Sequence, residues 1–281
     1  MNIPQDTYAL ERTPTETQRL QVQAGILAPA TRQMCELAGI TRGMRVLEIG
    51  SGAGDVAMLL AELVGPEGEV VGVEIDPVVL DTARARVRAR GFTNVSFLVG
   101  NLETMLLDDE FDAIVGRLIL MHVRSPVTLL RRLTSVLRPG GIVAFQEFDM
   151  AHCTTTAVHP PNQLDQQMFN WILEAFHRAG LPVRMGLDMY TVFSDAGLPA
   201  PHMRGEATIM AGPDRIWYDW GAETTRTLLP IILQSGLASA AEVDIDTLAD
   251  RIREEVISQR LVLRGPDIIS AWTRKPDQME I

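Results

Sequence analysis

Between Arg45 and Leu60 an apolar run ends in a cluster of three glycines and a helical pattern begins at once, and this stretch constrains the chain more than any other. Val46, Leu47 and Ile49 read as a buried strand. Gly50, Gly52 and Gly54 supply a turn whose backbone takes positive φ and approaches a ligand closely. Val56, Leu59, Leu60 and Leu63 then mark the inward stripe of a helix. Strand, glycine turn and helix in that order form a nucleotide-type loop.

The spacing narrows the ligand. In the pyrophosphate-binding form the glycines fall as GxGxxG and the helix N-terminus faces an anion. Here the order is GxGxG, with Asp55 where the third glycine would stand. Glu48 adds a second carboxylate at the strand end, and two fixed negative charges repel a diphosphate at a dielectric well below water's. They suit a cationic ligand. About 20 residues beyond the loop a second strand, EVVGVEI, ends in Glu74, where a carboxylate accepts both hydroxyls of a ribose. A phosphate-free nucleoside carrying an ammonium and a sulfonium fits both ends of this description.

Over roughly Gln23 to Phe148 the successive motifs resemble the class I S-adenosylmethionine-dependent methyltransferases. LEIGSGAG is similar to that family's methionine-binding loop, which implies cofactor contacts at Glu48, Gly50, Ser51, Gly52 and Gly54. GVEIDP resembles the ribose-binding strand end, implicating Glu74 and Ile75, and FLVGNLE the adenine-side segment, implicating Asn101 and Leu102. Many members have Asp at the position of Asn101, whose carbonyl still serves an adenine amino group. FDAIVGRLILMHV resembles the fourth strand with its active-site exit, where the Arg117 backbone carbonyl is expected to meet the cofactor's ammonium. RPGGIVAFQEF resembles the fifth strand, entered through a Pro-Gly-Gly turn. The implied fold is α/β: a Rossmann-like, mostly parallel seven-stranded sheet with helices on both faces and a helical lid.

The expected organisation is an N-terminal helical cover (1–42), a cofactor-binding core (43–150), and the rest of the core (151–281) with a helical insertion at about 211–260 lying over the pocket. Thr15 to Gly39 reads as two helices broken near Pro29. YALERTPTETQRLQVQ resembles the N-terminal cover of small-molecule members, which places Tyr8 at the acceptor, Gln23 at the cofactor and Arg19 nearby. The arginines at 84, 86, 88 and 90 are spread around one helix and read as a solvated face. Pro160 to Gly180 carries a strong apolar stripe (Leu164, Met168, Trp171, Ile172, Ala175, Phe176) that core packing against the sheet explains.

A net charge of −11 argues against a nucleic-acid substrate, because phosphate binding needs clustered Lys and Arg. Cys35 and Cys153 lack metal-ligand spacing, so no zinc site or disulfide is expected, and too few carboxylates lie nearby for a catechol-type Mg²⁺. The polar N-terminus and the lack of a long apolar run lead to the expectation of a cytoplasmic protein without a membrane partner. A homodimer is compatible with this reading.

Ligands of open α/β sheets bind beyond the carboxyl ends of the strands, so Glu147, Asp149 and His152, after the fifth strand, are candidate general bases, with His122 after the fourth. Met121 and the insertion's Trp217 and Trp220, beside Tyr218, are candidate acceptor contacts, with packing in the insertion's own core as the alternative. The sequence thus points to methyl transfer from S-adenosylmethionine to an oxygen, nitrogen or carbon of a small, mostly apolar metabolite. An NAD-dependent oxidoreductase, a non-catalytic cofactor-binding regulator and an isoprenoid diphosphate acceptor are the rivals.

Overall fold

A computed structural model describes residues 14–107, 110–153, 158–161 and 163–277. The chain divides into two compact units. Among the described residues, the sheet unit comprises Ala24–Phe148, Met185–Glu206 and residues 268–277; the helical unit comprises residues 14–23, Asp149–Arg184 and Ala207–Asp267. The second unit is larger than the expected 211–260 insertion, because it takes in residues 14–23 and the helix expected to pack on the sheet.

In the sheet unit, β1 (Arg45–Ile49), β2 (Glu69–Glu74), β3 (Val95–Val99), β4 (Phe111–Arg117) and β5 (Leu137–Asp149) alternate with α2 (Asp55–Val64), α3 (Pro77–Ala89) and α4 (Pro126–Ser135). After α1 (Pro14–Ala38) these elements build the strand order β3-β2-β1-β4-β5, every neighbour parallel. β8 (Val262–Arg274) pairs next to β5, and β7 (His202–Ala211) pairs with β8. Gly140 and Gly141 bond to Lys275, and Gln146 bonds to Ser270, so β5 and β8 run antiparallel. These are the seven strands of the expected sheet; a two-residue β6 (Val158–His159) adds an antiparallel pairing to Val262 and Leu263.

The order reverses between β1 and β4, and open α/β sheets bind their ligands at such a switch point, beyond the carboxyl ends of both strands. One sheet face buries Val46, Val70, Ala113, Val115, Ile142 and Ala144 against α2 and the last turns of α1. Alternation puts Glu48, Arg117 and Gln146 on that same face, one step nearer the carboxyl ends.

Two local expectations change. α1 is one helix, with Pro29 inside it. The proline leaves the Gly25 carbonyl without its helical bond, but both residues are exposed, so that carbonyl is open to solvent. Pro139, Gly140 and Gly141 lie inside β5 instead of before it: Phe111 pairs with Leu137 and Ala113 with Ile142, so the extra residues form a bulge.

The helical unit is built from α5 (Gln163–Arg178), α7 (Ile216–Gln234), α8 (Ala240–Val243) and α9 (Leu248–Gln259). The apolar stripe of α5 packs on α7, and α7 packs on α9. α6 (Met185–Asp195) belongs to the sheet unit, where Phe193 meets Phe145 edge to face at 6.1 Å.

Candidate active site

The three loop glycines have different work. A Cβ on Gly50 would lie 2.7 Å from Ile119 Cδ1, so Gly50 lets the loop pack against the exit of β4. A Cβ on Gly54 would lie 3.1 Å from Ala83, so Gly54 lets α2 approach α3. Gly52, at φ +50°, would meet nothing within 4 Å. It borders open space, the cradle a bound cofactor requires.

Carboxylates flank that space. Glu48 is 2% exposed, its Oε2 has no hydrogen-bond partner, and burial pushes its pKa up to about 7 against the pull of the Ser51 hydroxyl and the Arg117 charge. Glu74 accepts the amides of Gly52 (3.0 Å), Ile75 (2.9 Å) and Asp76 (3.1 Å), which fixes the carboxylate beside the loop. Oε1 takes the Ile75 and Asp76 amides and Oε2 the Gly52 amide. Ile75 is exposed beside it. The Asn101 side-chain oxygen accepts the Glu103 amide at 2.8 Å, and Arg132 donates to the Leu102 carbonyl, so the adenine-side segment is held by local bonds.

Asp55 differs from the expectation. It is no free negative charge: Arg86 of α3 binds it through two hydrogen bonds, 2.9 and 2.6 Å, and also donates to the Ala53 carbonyl. Arg86, expected on a solvated face, is instead the clamp on the glycine loop. The signal was present in an acidic first residue of α2 followed one βα unit later by a basic helix.

At the exit of β4, Leu118 sits at φ +51°, a left-handed conformation costing leucine roughly 1–2 kcal/mol. Bonds on both sides hold it. Leu118 N–H donates to the Gln146 carbonyl at 2.8 Å, and the next two amides donate to Glu147 Oε1 at 2.8 and 2.7 Å. Glu147 is thus a fully buried brace, its pKa raised to about 8 by burial, and not a side chain open to an acceptor. The turn it holds, Leu120–His122, carries buried Met121 and half-buried His122. The Arg117 side chain reaches the Thr31 hydroxyl of α1 at 3.2 Å, and that hydroxyl lies 2.7 Å from Gln146 Oε1. The sequence points to the Arg117 backbone and to the β5 end that carries Gln146, but gives no sign of the link through Thr31.

The other candidates lie in the helical unit. Asp149 accepts the Ala151 amide, with Arg184 at 3.7 Å; His152 Nε2 is 3.3 Å from the Gly265 carbonyl and Nδ1 3.8 Å from Asp267. Gln23, expected at the cofactor, is buried here, its carbonyl accepting from Arg19 (2.9 Å) and from the Trp220 indole (3.0 Å). Trp220 meets Trp217 edge on at 5.5 Å. With Met168, Phe169, Met210 and Tyr218 these rings line a crevice of about 10 Å³, on the order of one water. Tyr8 lies outside the described residues. No group of three or more metal-ligating side chains occurs among the described residues, and no helix among them is long and apolar enough to cross a membrane.

Comparison with known proteins identifies the family. Residues 40–197 match the model of a methyltransferase domain family, more than half of the chain. The ubiquinone/menaquinone biosynthesis C-methyltransferase of Idiomarina loihiensis is 37% identical over 119 residues, covering 42% of this chain and 47% of that protein. The match thus spans about half the length of that curated relative. In fold, a Bacillus halodurans protein superposes with a TM-score of 0.59 at 18% identity, covering 88% of this chain and 98% of that one. A SAM-dependent methyltransferase from Aquifex aeolicus gives 0.51 at 19% identity, over 72% and 93%. The open space at Gly52, the carboxylates that flank it and the family match lead to one conclusion: the chain belongs to the methyltransferase domain family, as a class I S-adenosylmethionine-dependent member.

Proposed function

We propose that this chain methylates a small, mostly apolar acceptor, and that the aromatic and methionine side chains of the helical unit receive it. The crevice among Met168, Phe169, Met210, Trp217, Tyr218 and Trp220 carries this reading, because rigid rings and polarizable thioethers suit an apolar or aromatic molecule. The space between these side chains is small, so an acceptor enters only as they part. When bound, the cofactor supplies an electrophilic sulfonium methyl. The chain's part is to bind, align and exclude water: Gly52 leaves room, Glu74 fixes the sugar edge, and Glu147 holds the β4 exit rigid. With Glu147 fully buried and its Oε1 holding two backbone amides, His122 is the candidate in the sheet unit that stands partly open for taking a proton.

The identity to a quinone-pathway C-methyltransferase favours a second, finer reading, in which the acceptor is a ring carbon of an electron-rich phenol or quinol. Isotopically labelled S-adenosylmethionine incubated with phenols, quinols, amines and hydroxy acids tests both. Label in a phenol or quinol supports the proposal, and label on a ring carbon supports the finer reading. Tight cofactor binding with no label in any acceptor would favour a non-catalytic role.

A further inference from the structure

Among the described residues, β7 pairs with β8 alone. Alternate backbone N–H and C=O groups of a strand point to opposite edges, so β7 turns one set of them away from the sheet. Such an outward row is a template for another strand. His202, Met203, Arg204 and Gly205 are exposed and Glu206 is half-buried, and this stretch belongs to the sheet unit.

The charges on it choose a partner. Arg204 and Glu206 stand two residues apart on one face of the strand, with Arg204 Nε 3.2 Å from Glu206 Oε1. Charges of a single sign would guard the edge, because a second copy repels them. Here the signs alternate. Two copies meeting edge to edge about a two-fold axis run antiparallel, with the axis perpendicular to the sheet. Residues set opposite each other must share a face, so the axis passes through a residue and not between two. An axis at Arg204 sets arginine against arginine, and one at Glu206 sets glutamate against glutamate. At Gly205, between them, each Arg204 faces Glu206 of the second copy, and no side chains meet on the axis itself. β3, at the other end of the sheet, has the sequence VSFLV and no charged side chain to choose a register.

We propose that two copies of this chain pair through β7, antiparallel about Gly205, so that the two sheets join into one. Arg204 of each copy then binds Glu206 of the other, and four side chains of alternating charge close a ring on one face of the joint. A single pair of strands is a small interface, so the dimer should be reversible, with a Kd on the order of micromolar.

The test is sedimentation velocity on the full chain over a range of concentrations. Arg204→Glu makes all four side chains acidic and Glu206→Arg makes all four basic, so each variant alone should dimerise about tenfold more weakly than wild type. Mixed in equal amounts, one acidic chain meets one basic chain and every cross-strand position again holds opposite charges. The mixture should therefore form heterodimers with an affinity within about threefold of the wild-type dimer. Arg204 and Glu206 are 46% and 34% exposed, so neither variant disturbs packed side chains, and circular dichroism checks the fold of each. A wild-type chain that stays monomeric up to about 100 μM overturns the inference. So does a dimer that neither variant weakens, or a mixture that recovers no affinity.

Discussion

Alanine at Gly50 and at Gly52 should damage the protein in different ways. Both residues have positive φ, +70° and +50°, so each substitution carries a left-handed penalty of roughly 1–2 kcal/mol. At Gly50 the new methyl also lies 2.7 Å from Ile119 Cδ1, 2.8 Å from Cγ1 and 3.2 Å from Cβ. Ile119 cannot retreat easily, because its amide is bonded to buried Glu147 and Leu118 before it is already strained. Overpacking adds roughly 1–3 kcal/mol, so Gly50→Ala should lose about 2–5 kcal/mol of stability. Gly52→Ala meets no atom and should lose only the conformational part, about 1–2 kcal/mol. The ranking inverts for ligand response. At a concentration of S-adenosylhomocysteine a hundred times its Kd, a bound ligand stabilises the wild-type protein by roughly 2.7 kcal/mol, and Gly52→Ala should forfeit most of that because its methyl occupies the ligand's space. Urea denaturation with and without ligand measures both quantities. Equal stability losses, or a Gly52→Ala protein that keeps the full ligand shift, would refute the division of labour among the glycines.

Arg86→Met should destabilise the apoprotein by roughly 1.5–3 kcal/mol by stranding Asp55, and Asp55→Asn in the same chain should recover part of it; thermal denaturation of the four proteins reads the coupling. Burial raises the pKa values of Glu48, Glu147 and Asp165 to about 7, 8 and 7 from ordinary carboxyl values, so the folded state holds protons that the unfolded chain releases. Their contribution is therefore complete below about pH 4.5 and falls as pH rises toward 7–8, each group adding at most about 1.4 kcal/mol per pH unit to the slope. Glu147→Gln should flatten that slope in urea titrations from pH 5 to 8.5, and an unchanged slope would remove Glu147 from the account. Trp220→Phe should cost roughly 1 kcal/mol through the lost bond to Gln23, and a double-mutant cycle with Gln23→Leu should find the two effects coupled.

Much of the sheet unit was legible because its signals are local. A strand, three glycines and a helix are contiguous, and Glu74 ends the next strand, so the crevice followed from short stretches alone. The helical unit was less legible. It is assembled from three separated segments, and nothing in the apolar stripe of α5 says that its partner is α7, because a helix and a sheet ask for the same stripe. Charges were misread for a related reason. Arg86 and Asp55 are 31 residues apart, and only the fold shows that one answers the other. Glu147 had the position of a base but the environment of a brace, a distinction set by the backbone amides of Ile119 and Leu120. The continuity of α1 through Pro29 depended on solvent reaching the Gly25 carbonyl.

The central claim is that the crevice between Glu48 and Glu74 takes a phosphate-free, positively charged nucleoside. Calorimetric titration of the wild-type protein and of Glu74→Ala with S-adenosylhomocysteine and with NAD tests it most directly. S-adenosylhomocysteine should bind, NAD should not, and Glu74→Ala should weaken the former by about 1.5–3 kcal/mol. Binding of NAD alone, or S-adenosylhomocysteine affinity untouched by the loss of Glu74, would contradict it.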